Sequence, residues 1–441
     1  MANLKVGIAA VDYTPKNGLP LMGNFRNDYG ARGVHDPLYA KAVVFENSTG
    51  GKVALLSVDI CMIERKWVGL MREAIYQDTG IPKENILIAA THTHSGPAPM
   101  GLGSLPKADD TDIEQFLKKA ATAVGLANRN SQESKISVGY SSEDRLSFNR
   151  RLACKDGQTH MNWEKLDPNF VLTTLGPIDP QVIAVSVQQG QTNKAALVNF
   201  GLHPAILAGD NWLYSADYPG YLAEALQRIY GTDFTTVFLN GCCGNVNHID
   251  YQDPLQGRGY KMTQRCGYML ATAVQEAMCR STAVEGDHIA VSRELVTLKR
   301  LKISDKDRQW SETVLEKAKK QATAGQVDGL PDEFYAHTWM DVYKKQNTDD
   351  NVEVMAIRIG NLAIVGLPGE IFCEFGMEIK KHSPAKHTLV IELANDAVGY
   401  IPTQNAFAEG GYEPSTGSTM YEKGSGEKMT ESALNQLKKL F

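Results

Sequence analysis

The chain has 441 residues, with 45 lysines and arginines against 51 aspartates and glutamates, and therefore a formal net charge of −6. Hydrophobic residues make up 43% and charged residues 22%, which is typical of a globular protein, and the mild acidity without basic runs argues against a nucleic-acid or anionic-membrane surface. No apolar run approaches the ~18 residues that a membrane span requires. No charged-then-apolar leader opens the chain, which favours the cytoplasm, although a periplasmic or secreted chain whose leader had been removed would look the same.

Cysteine is sparse and carries no recognisable ligand spacing. Seven cysteines occur, without any Cys-x-x-Cys, and Cys242 and Cys243 are adjacent. This pattern indicates neither a disulfide scaffold nor a structural zinc site, and it favours a reducing compartment. Because no basic neighbour of the pair is evident, we expect Cys242 and Cys243 to be buried and unreactive.

The chain repeats one local pattern, a short apolar strand that runs into a polar loop and then into helical periodicity. Lys52–Asp59 is the first such strand, and Glu64–Tyr76 carries apolar residues at helical spacing. Further strands are predicted at Asn85–Ala90, Lys194–Phe200, Phe234–Leu239 and Leu362–Val365, the last followed by a helix to Lys381. The alternation predicts an α/β fold in which helices flank a mixed β-sheet core, and because no obvious linker interrupts the chain we expect one large domain over residues 1–441.

Two later segments depart from this pattern. Ser304–Gln326 is rich in lysine and glutamate with few apolar residues, and is predicted to be a solvated helix. Gly399–Lys428 is rich in glycine, tyrosine, serine and glutamate and has no periodicity. A long segment of that kind inside a compact domain indicates a functional loop.

Candidate metal ligands follow several of the predicted strands. His92 and His94 form a His-x-His, and if this segment is extended one ring binds a metal while the other faces substrate. His203 and Glu370 also stand at strand ends, where a core histidine and an acidic first helical turn are the ordinary structural interpretations. Together, two imidazoles and one carboxylate form the ligand set of an open catalytic zinc site. Imidazole favours zinc over magnesium or calcium.

Several short motifs occur along the chain in a definite order. They are Lys5–Asp12, His92-Thr93-His94-Ser95-Gly96-Pro97, Asn149-Arg150, His203-Pro204, Leu367-Pro368-Gly369-Glu370, and the two tyrosines Tyr400 and Tyr412. In this order they resemble the catalytic domain of the neutral (non-lysosomal) ceramidases, a family of zinc amidohydrolases. The resemblance runs from residue 5 to about residue 421.

The resemblance implies a role for individual residues. One Zn²⁺ per chain would be held by His92, His203, Glu370 and Tyr400. The implied catalytic residues are His94 as acid/base, with Arg150 and Tyr412 contacting the substrate or the developing oxyanion. Without the resemblance, both tyrosines would be interpreted as loop packing.

Two departures from the family pattern bear on the substrate. The family carries Gly-Asp-x-Ser-Pro-Asn, whose serine is its proposed nucleophile or water-positioning group, whereas this chain has Gly244-Asn245-Val246-Asn247-His248. Asn247 cannot act as an alkoxide nucleophile. The family's C-terminal immunoglobulin-like domain is also not expected in this sequence. These departures argue against ceramide as the substrate but leave the expectation of zinc hydrolysis in place.

The sequence therefore predicts a zinc-dependent hydrolase in which metal-bound water attacks the amide carbon of an N-acyl lipid or a smaller N-acyl compound. Asn247 would add an oxyanion donor, and His35 and His248 are candidate substrate-binding residues. Two alternatives stay open, namely a zinc hydrolase of ester, lactone or carbohydrate bonds and a non-catalytic binding protein on the same scaffold. The expected partner is a small-molecule or lipid substrate, and neither a nucleic acid nor a membrane span is expected.

Overall fold

A computed structural model describes residues 4–26, 28–253, 255–319 and 331–441. Its strands are β1 (Leu4–Asp12), β2 (Gly33–Val34), β3 (Tyr39–Glu46), β4 (Lys52–Val58), β5 (Ile86–Ala90), β6 (Gln132–Ser142), β7 (Phe148–Asn149), β8 (Arg151–Cys154), β9 (Thr159–Met161), β10 (Val171–Thr174), β11 (Gln181–Gln189), β12 (Thr192–Phe200), β13 (Leu213–Tyr214), β14 (Thr235–Asn240), β15 (Val246–Asn247), β16 (Thr282–Ala283), β17 (Ile289–Leu298), β18 (Asp350–Ile359), β19 (Leu362–Gly366), β20 (Glu370–Ile371), β21 (His387–Ile391) and β22 (Tyr400–Ile401). Its α-helices are α1 (Arg65–Thr79), α2 (Asp110–Arg129), α3 (Tyr218–Tyr230), α4 (Tyr260–Cys279), α5 (Asp305–Ala318), α6 (Asp332–Lys345), α7 (Cys373–His382), α8 (Gln404–Glu409) and α9 (Ser425–Leu440).

Two mixed sheets form the framework. The larger has nine strands along the path β14-β12-β11-β6-β1-β3-β4-β5, with β16 added beside β6. The smaller follows the order β17-β18-β19-β21. Three neighbouring pairs are parallel, namely β4 with β5, β12 with β14, and β19 with β21. The predicted α/β fold with a mixed sheet core is confirmed.

The two sheets pack face to face and helices cover their outer faces. Leu55 of β4, Val185 of β11 and Ile364 of β19 are fully buried in the core between the sheets. Helices α1 and α2 cover one half of the outer face of the larger sheet, and α3 and α4 cover the other half. Helices α7 and α9 cover the smaller sheet. Along each strand, alternate residues face the core between the two sheets and the core between sheet and helices, because successive side chains point to opposite faces.

Both segments singled out by composition contain regular structure, which was predicted only for the second. Gly399–Lys428 contains the strand β22, the helix α8 and the start of α9, because hydrogen bonds to neighbouring loops order it despite its lack of periodicity. Helix α5 lies within the predicted helix Ser304–Gln326, whose end beyond residue 319 falls outside the described residues. Among the helices described, none combines the length and the apolar character needed to cross a bilayer.

A buried ionic network joins α1 to the smaller sheet. Arg72 donates from both terminal nitrogens to the Glu353 carboxylate, at 3.2 and 2.8 Å, and from Nε to the Ile86 carbonyl at 2.9 Å. Arg293 and Asn395 donate to the same carboxylate. Burial raises the pKa of Glu353, but the two guanidinium groups outweigh burial, so its pKa lies below the ordinary value of 4.5.

We expect Arg72→Met to lower the free energy of unfolding by about 3 kcal/mol at neutral pH, because it leaves a buried carboxylate short of a partner. Urea unfolding measures the loss. A folded-state pKa below 4.5 means that this stabilisation is present above pH 4.5 and disappears as the pH falls, so wild type and variant should converge in acid. The control is Arg129→Met, whose exposed pair with Asp78 is worth ~0–1 kcal/mol. Equal losses in both variants would contradict the prediction.

Candidate functional site

Three strand-end loops meet beside the parallel strand pairs. The chain leaves β5 into the loop that carries His92, leaves β12 into the loop that carries His203, and leaves β19 into the loop that carries Glu370. Carboxyl ends of strands are where α/β folds gather functional groups. Backbone hydrogen bonds tie the loops together, since the His94 amide donates to the Pro204 carbonyl at 3.0 Å.

A fourth loop, which follows β14 and carries Gly244, packs closely against the loop that carries Glu370. The Gly244 amide donates to the Ile371 carbonyl at 2.8 Å. A Cβ at Gly244 would lie 2.6 Å from the Glu370 carbonyl oxygen, so any larger residue would push the two loops apart.

Three ligand atoms converge in the interior. Nε2 of His92 and Nε2 of His203 lie 3.3 and 3.2 Å from the same oxygen, Oε2 of Glu370. The three atoms lie within 4.8 Å of one another, and all three side chains are buried. This arrangement presents two nitrogens and one carboxylate oxygen to one point, as the sequence predicted for the metal ligands.

Hydrogen bonds orient both imidazole rings for metal binding. Nδ1 of His92 lies 2.8 Å from the Cys61 carbonyl, and Nδ1 of His203 lies 2.9 and 3.0 Å from the carbonyls of Cys243 and Val246. A carbonyl oxygen only accepts, so Nδ1 carries the proton in each ring and Nε2 keeps its lone pair. Outer hydrogen bonds of this kind fix the tautomer of metal-binding histidines.

The electrostatics of the cluster fit a cation. Burial lowers the pKa of His203 to about 4, helped by the positive charges of Arg150 and His92. Burial raises the pKa of Glu370, but His92 and His203 outweigh it and hold that pKa well below its usual range. Burial lowers the pKa of His92, but Cys61 and then Glu370 outweigh it and hold that pKa well above its usual range. The donor set of two imidazoles and one carboxylate suits zinc.

A second group of possible ligands, Cys61, His92 and His94, overlaps the first at His92. The Cys61 sulfur lies 3.6 Å from Nδ1 of His92, but that nitrogen already forms a hydrogen bond with the Cys61 carbonyl. The group that contains Glu370 therefore fits a metal better.

His92 is held at φ 72°, a left-handed conformation that is costly for a residue with a Cβ and that clusters at functional sites.

Tyr400 is placed beside the carboxylate by strand pairing. Strands β20 and β22 are parallel, and Glu370 is the register partner of Tyr400. Tyr400 is buried. Burial, followed by the charge of Glu370, raises the pKa of Tyr400 well above its ordinary value of 10.0. The Tyr412 ring packs edge-on against Tyr400 at 5.4 Å.

Arg150 connects the cluster of His92, His203 and Glu370 to the tyrosines. Its Nη1 lies 3.3 Å from Nε2 of His203, and its guanidinium lies over the rings of Tyr400 and Tyr412 at 5.2 and 5.9 Å. Nε donates to Glu413 at 2.7 Å. Glu413 is fully buried and also accepts from Arg151, so it fixes two guanidinium groups. Sequence reasoning missed Glu413, although it directly follows Tyr412.

His94 lies against the cluster without belonging to the convergent set. Its Nε2 is 3.4 Å from Nε2 of His92, and its Nδ1 is 3.5 Å from the Asn24 amide oxygen. Burial, and then the positive charges of His92 and His203, hold the pKa of His94 well below its ordinary value of 6.5. His94 is therefore neutral at pH 7, and its acid/base role stays a prediction.

The other predicted site residues lie elsewhere or are already engaged. The Asn247 amide nitrogen donates to Asn162 at 2.8 Å, and Asn162 donates back at the same distance, so the oxyanion role of Asn247 stays a prediction. His248 is buried, and its Nδ1 has no hydrogen-bond partner among the described residues. His35 stacks on Tyr260 and lines a separate cavity of about 380 Å³. The positions of His35 and His248 give no support to a substrate-binding role.

Glu392 is a second residue that sequence reasoning missed, although it directly follows a buried strand. It accepts hydrogen bonds from the backbone amides of Ile371 and Cys243 at 2.9 and 3.1 Å. It also accepts from the Cys243 thiol at 2.9 Å, and that sulfur lies 3.2 Å from Nδ1 of His203. Burial, and then Glu392, raise the pKa of the Cys243 thiol well above its ordinary value of 9.0, so the thiol is protonated and unreactive.

We expect Cys243→Ala to leave metal content and activity within about threefold of wild type, because backbone carbonyls rather than the thiol orient His203. Cys242→Ala, at the adjacent buried thiol, is the matched control. Both variants are compared by metal analysis and turnover. Loss of metal in the Cys243 variant alone would make the thiol part of the site and contradict the prediction.

An open cleft leads to the cluster. It has a volume of about 430 Å³, and Glu370, Tyr400 and Tyr412 are among its lining residues. His92 and His203 do not line it and lie buried behind Glu370. A ligand in the cleft therefore reaches the carboxylate side of the cluster first.

Comparisons with known proteins point to one family. Residues 4–289 match the family described as neutral/alkaline non-lysosomal ceramidase, N-terminal. The chain is 24% identical to neutral ceramidase A of Dictyostelium discoideum over 314 residues, covering 65% of this chain and 41% of that protein. It is 25% identical to the neutral ceramidase of Drosophila melanogaster over 321 residues, covering 66% of this chain and 43% of that protein. The match spans about two-fifths of the length of these curated relatives.

A solved structure shares the fold. The crystal structure of neutral ceramidase from Pseudomonas aeruginosa superposes with a TM-score of 0.79 at 18% identity, covering 100% of this chain and 75% of that chain. At this identity the likeness shows the fold alone. Residues 4–289 make up more than half of the 441 residues, and the chain therefore belongs to the neutral/alkaline non-lysosomal ceramidase family.

Proposed function

We propose that the protein is a zinc-dependent hydrolase that cleaves the amide bond of an N-acyl compound. One observation carries the proposal: Nε2 of His92, Nε2 of His203 and Oε2 of Glu370 converge in a buried cluster at the end of an open cleft. Two neutral imidazoles and a carboxylate are the protein ligands of hydrolytic zinc sites. The two curated relatives named above are neutral ceramidases, and this supports an amide as the scissile bond.

His92, His203 and Glu370 would hold the metal, with the Tyr400 hydroxyl beside Glu370 as a fourth ligand. A zinc ion held by these residues would lower the pKa of water toward ~7 and would polarise a carbonyl oxygen. The remaining chemistry belongs to side chains around the cluster. The oxygen of water adds to the acyl carbon, the carbon–nitrogen bond breaks, and the products are a carboxylic acid and an amine.

The neighbouring side chains divide this work. His94, neutral and next to the cluster, accepts the proton of the attacking water at a ring nitrogen and returns it to the leaving nitrogen. The Arg150 guanidinium, fixed by Glu413 and directed at His203, stabilises negative charge developing on the acyl oxygen. Tyr412, which lines the cleft beside Tyr400, contacts the bound substrate.

A matched substrate panel tests the proposal. N-acyl and O-acyl compounds with the same acyl and leaving parts are incubated with the protein as purified, after chelation, and after zinc is restored. We expect amide hydrolysis that chelation abolishes and zinc recovers. Preference for the O-acyl series would move the function to the ester and lactone alternative. Zinc binding without turnover of either series would favour a binding protein on this scaffold.

A further inference from the structure

A second cavity lies where strands β1, β3 and β14 meet helix α3. Its volume of about 380 Å³ is within the range of ordinary small-molecule sites. Among the described residues, none that lines this cavity also lines the cleft or belongs to the cluster of His92, His203 and Glu370. The proposed hydrolysis therefore makes no use of it.

Lys41 places a buried positive charge at this cavity. On β3 it shares a face with Val43 and Phe45, because alternate strand residues point the same way, and both of these are fully buried between the sheets. Lys41 itself is only 8% exposed and lines the cavity. Its Nζ lies 5.7 Å from the centre of the Tyr39 ring and forms neither a hydrogen bond nor an ion pair with any described residue. Burial of an ammonium group is unfavourable unless an acceptor satisfies it.

The acidic side chains on the cavity wall already have partners. The Asp36 carboxylate is hydrogen-bonded to Nδ1 of His35 at 2.8 Å and accepts from the Ala216 amide at 2.7 Å. Glu224 forms an ion pair with Arg228, one helical turn further along α3. Both acidic residues line the cavity, but neither supplies an acceptor to the lysine.

Asp59 is the third acidic residue of the wall, and it too is engaged. It accepts a hydrogen bond from the Tyr39 amide at 2.8 Å. Burial raises the pKa of Asp59, and the charge of Lys41 lowers that pKa without returning it to its ordinary value of 3.8. Thr236, which also lines the cavity, has a buried hydroxyl with no hydrogen-bond partner among the described residues. The cavity thus keeps hydrogen-bonding capacity at one ammonium group and one hydroxyl group.

These groups suit a ligand that has one negative charge and an apolar body. One carboxylate matches one ammonium group, whereas a phosphate group carries about two negative charges at neutral pH and would be repelled by the acidic side chains of the wall. The remaining wall includes Ala10, Pro37, Ala216 and Tyr221, which offer apolar surface. Burial of an alkyl chain against such surface is favourable.

We infer that this cavity is a second ligand site, which binds a small monocarboxylate with its carboxylate group at Lys41 and its apolar body against Tyr39 and Tyr221. Amide hydrolysis of the proposed kind releases a carboxylic acid, so the protein would itself produce ligands of this class. The site does not depend on that reaction, because it shares no described residue with the cluster that contains Glu370.

Isothermal titration calorimetry of the full chain tests the inference. The probes are octanoate, octan-1-ol and octylamine, which have the same chain length, and inorganic phosphate. We expect one octanoate to bind per chain, and the other three probes to bind at least about tenfold more weakly, because only a monoanion with an alkyl chain satisfies both parts of the site. Failure of octanoate to bind, or equally tight binding of any other probe, would overturn the inference.

Variants locate the bound octanoate. We expect Lys41→Met to weaken binding by at least about tenfold and Lys41→Arg, which keeps the charge, to stay within about threefold of wild type. Ala223→Leu fills the cavity from α3 and should also weaken binding, which keeps the test open if Lys41→Met fails to fold. The control, Lys5→Met, removes a lysine that pairs with Glu46 outside the cavity and should have no effect.

Glu370→Ala distinguishes the cavity from the cleft. We expect this variant to bind octanoate with wild-type affinity, because Glu370 lines the cleft and not the cavity. Loss of octanoate binding in Glu370→Ala would place the ligand at the proposed zinc site and overturn the inference. Unchanged binding in both Lys41→Met and Ala223→Leu would overturn it as well. Neither result bears on whether the protein hydrolyses an amide.

Discussion

Replacing Glu370 with alanine is expected to abolish both metal binding and hydrolysis. The carboxylate oxygen lies 3.3 and 3.2 Å from the two imidazole nitrogens and is the acidic member of the convergent set. Its loss leaves His92 and His203 without a counter-charge, and metal affinity should fall by more than the ~10–100-fold that the loss of an outer-shell partner costs. Turnover should fall to background. Zinc titration and kcat/KM measure the two effects.

Two further variants separate a metal ligand from a structural residue at this position. Glu378→Ala removes an exposed carboxylate from α7 and should change neither readout. Glu370→Gln keeps the volume of the side chain and should lose metal, and its melting temperature should match that of the metal-free wild type. A Glu370→Ala protein that binds zinc with wild-type affinity would contradict the assignment of Glu370.

Replacing His94 with alanine should lower kcat/KM by about 10²–10⁴-fold while zinc content stays near wild type. Its ring lies 3.4 Å from His92 yet outside the group of atoms that includes Glu370. The loss should appear mainly in kcat, because proton transfer to the leaving nitrogen is a transition-state contribution. A series of leaving amines of decreasing basicity should recover part of the loss.

His382→Ala, at an exposed ring on α7, is the control for His94 and should leave turnover unchanged. Loss of zinc in the His94 variant would make His94 a ligand and contradict its acid/base assignment. Activity within a factor of about three of wild type would show that proton transfer does not depend on His94.

The framework could be predicted because strand signals are local. Each apolar run, such as Lys52–Asp59, gave a strand within a few residues of its predicted bounds, and three of the four candidate ligands, His92, His203 and Glu370, followed one of these runs. The three residues follow β5, β12 and β19, which are not paired with one another in the described sheets. Their convergence therefore depends on contacts between loops, such as the hydrogen bond from the His94 amide to the Pro204 carbonyl, and not on position along the chain alone.

The supporting residues could not be predicted, because their roles depend on contacts between distant segments. Glu413 meets Arg150 across 263 positions of sequence, and Glu392 meets Cys243 across 149. His35 illustrates the converse, since a histidine in a polar loop was a reasonable substrate-binding candidate but lies in a separate cavity. Long-range contacts of this kind leave no periodic signal in the sequence.

Metal content tests the central claim most directly. The purified protein is dialysed against a weak chelator and analysed by plasma mass spectrometry, with the Glu370→Ala variant treated in parallel. The account predicts about one zinc per wild-type chain and almost none in the variant. A wild-type protein that holds no transition metal and takes up none when zinc is added would contradict the assignment of His92, His203, Glu370 and Tyr400 as a zinc site.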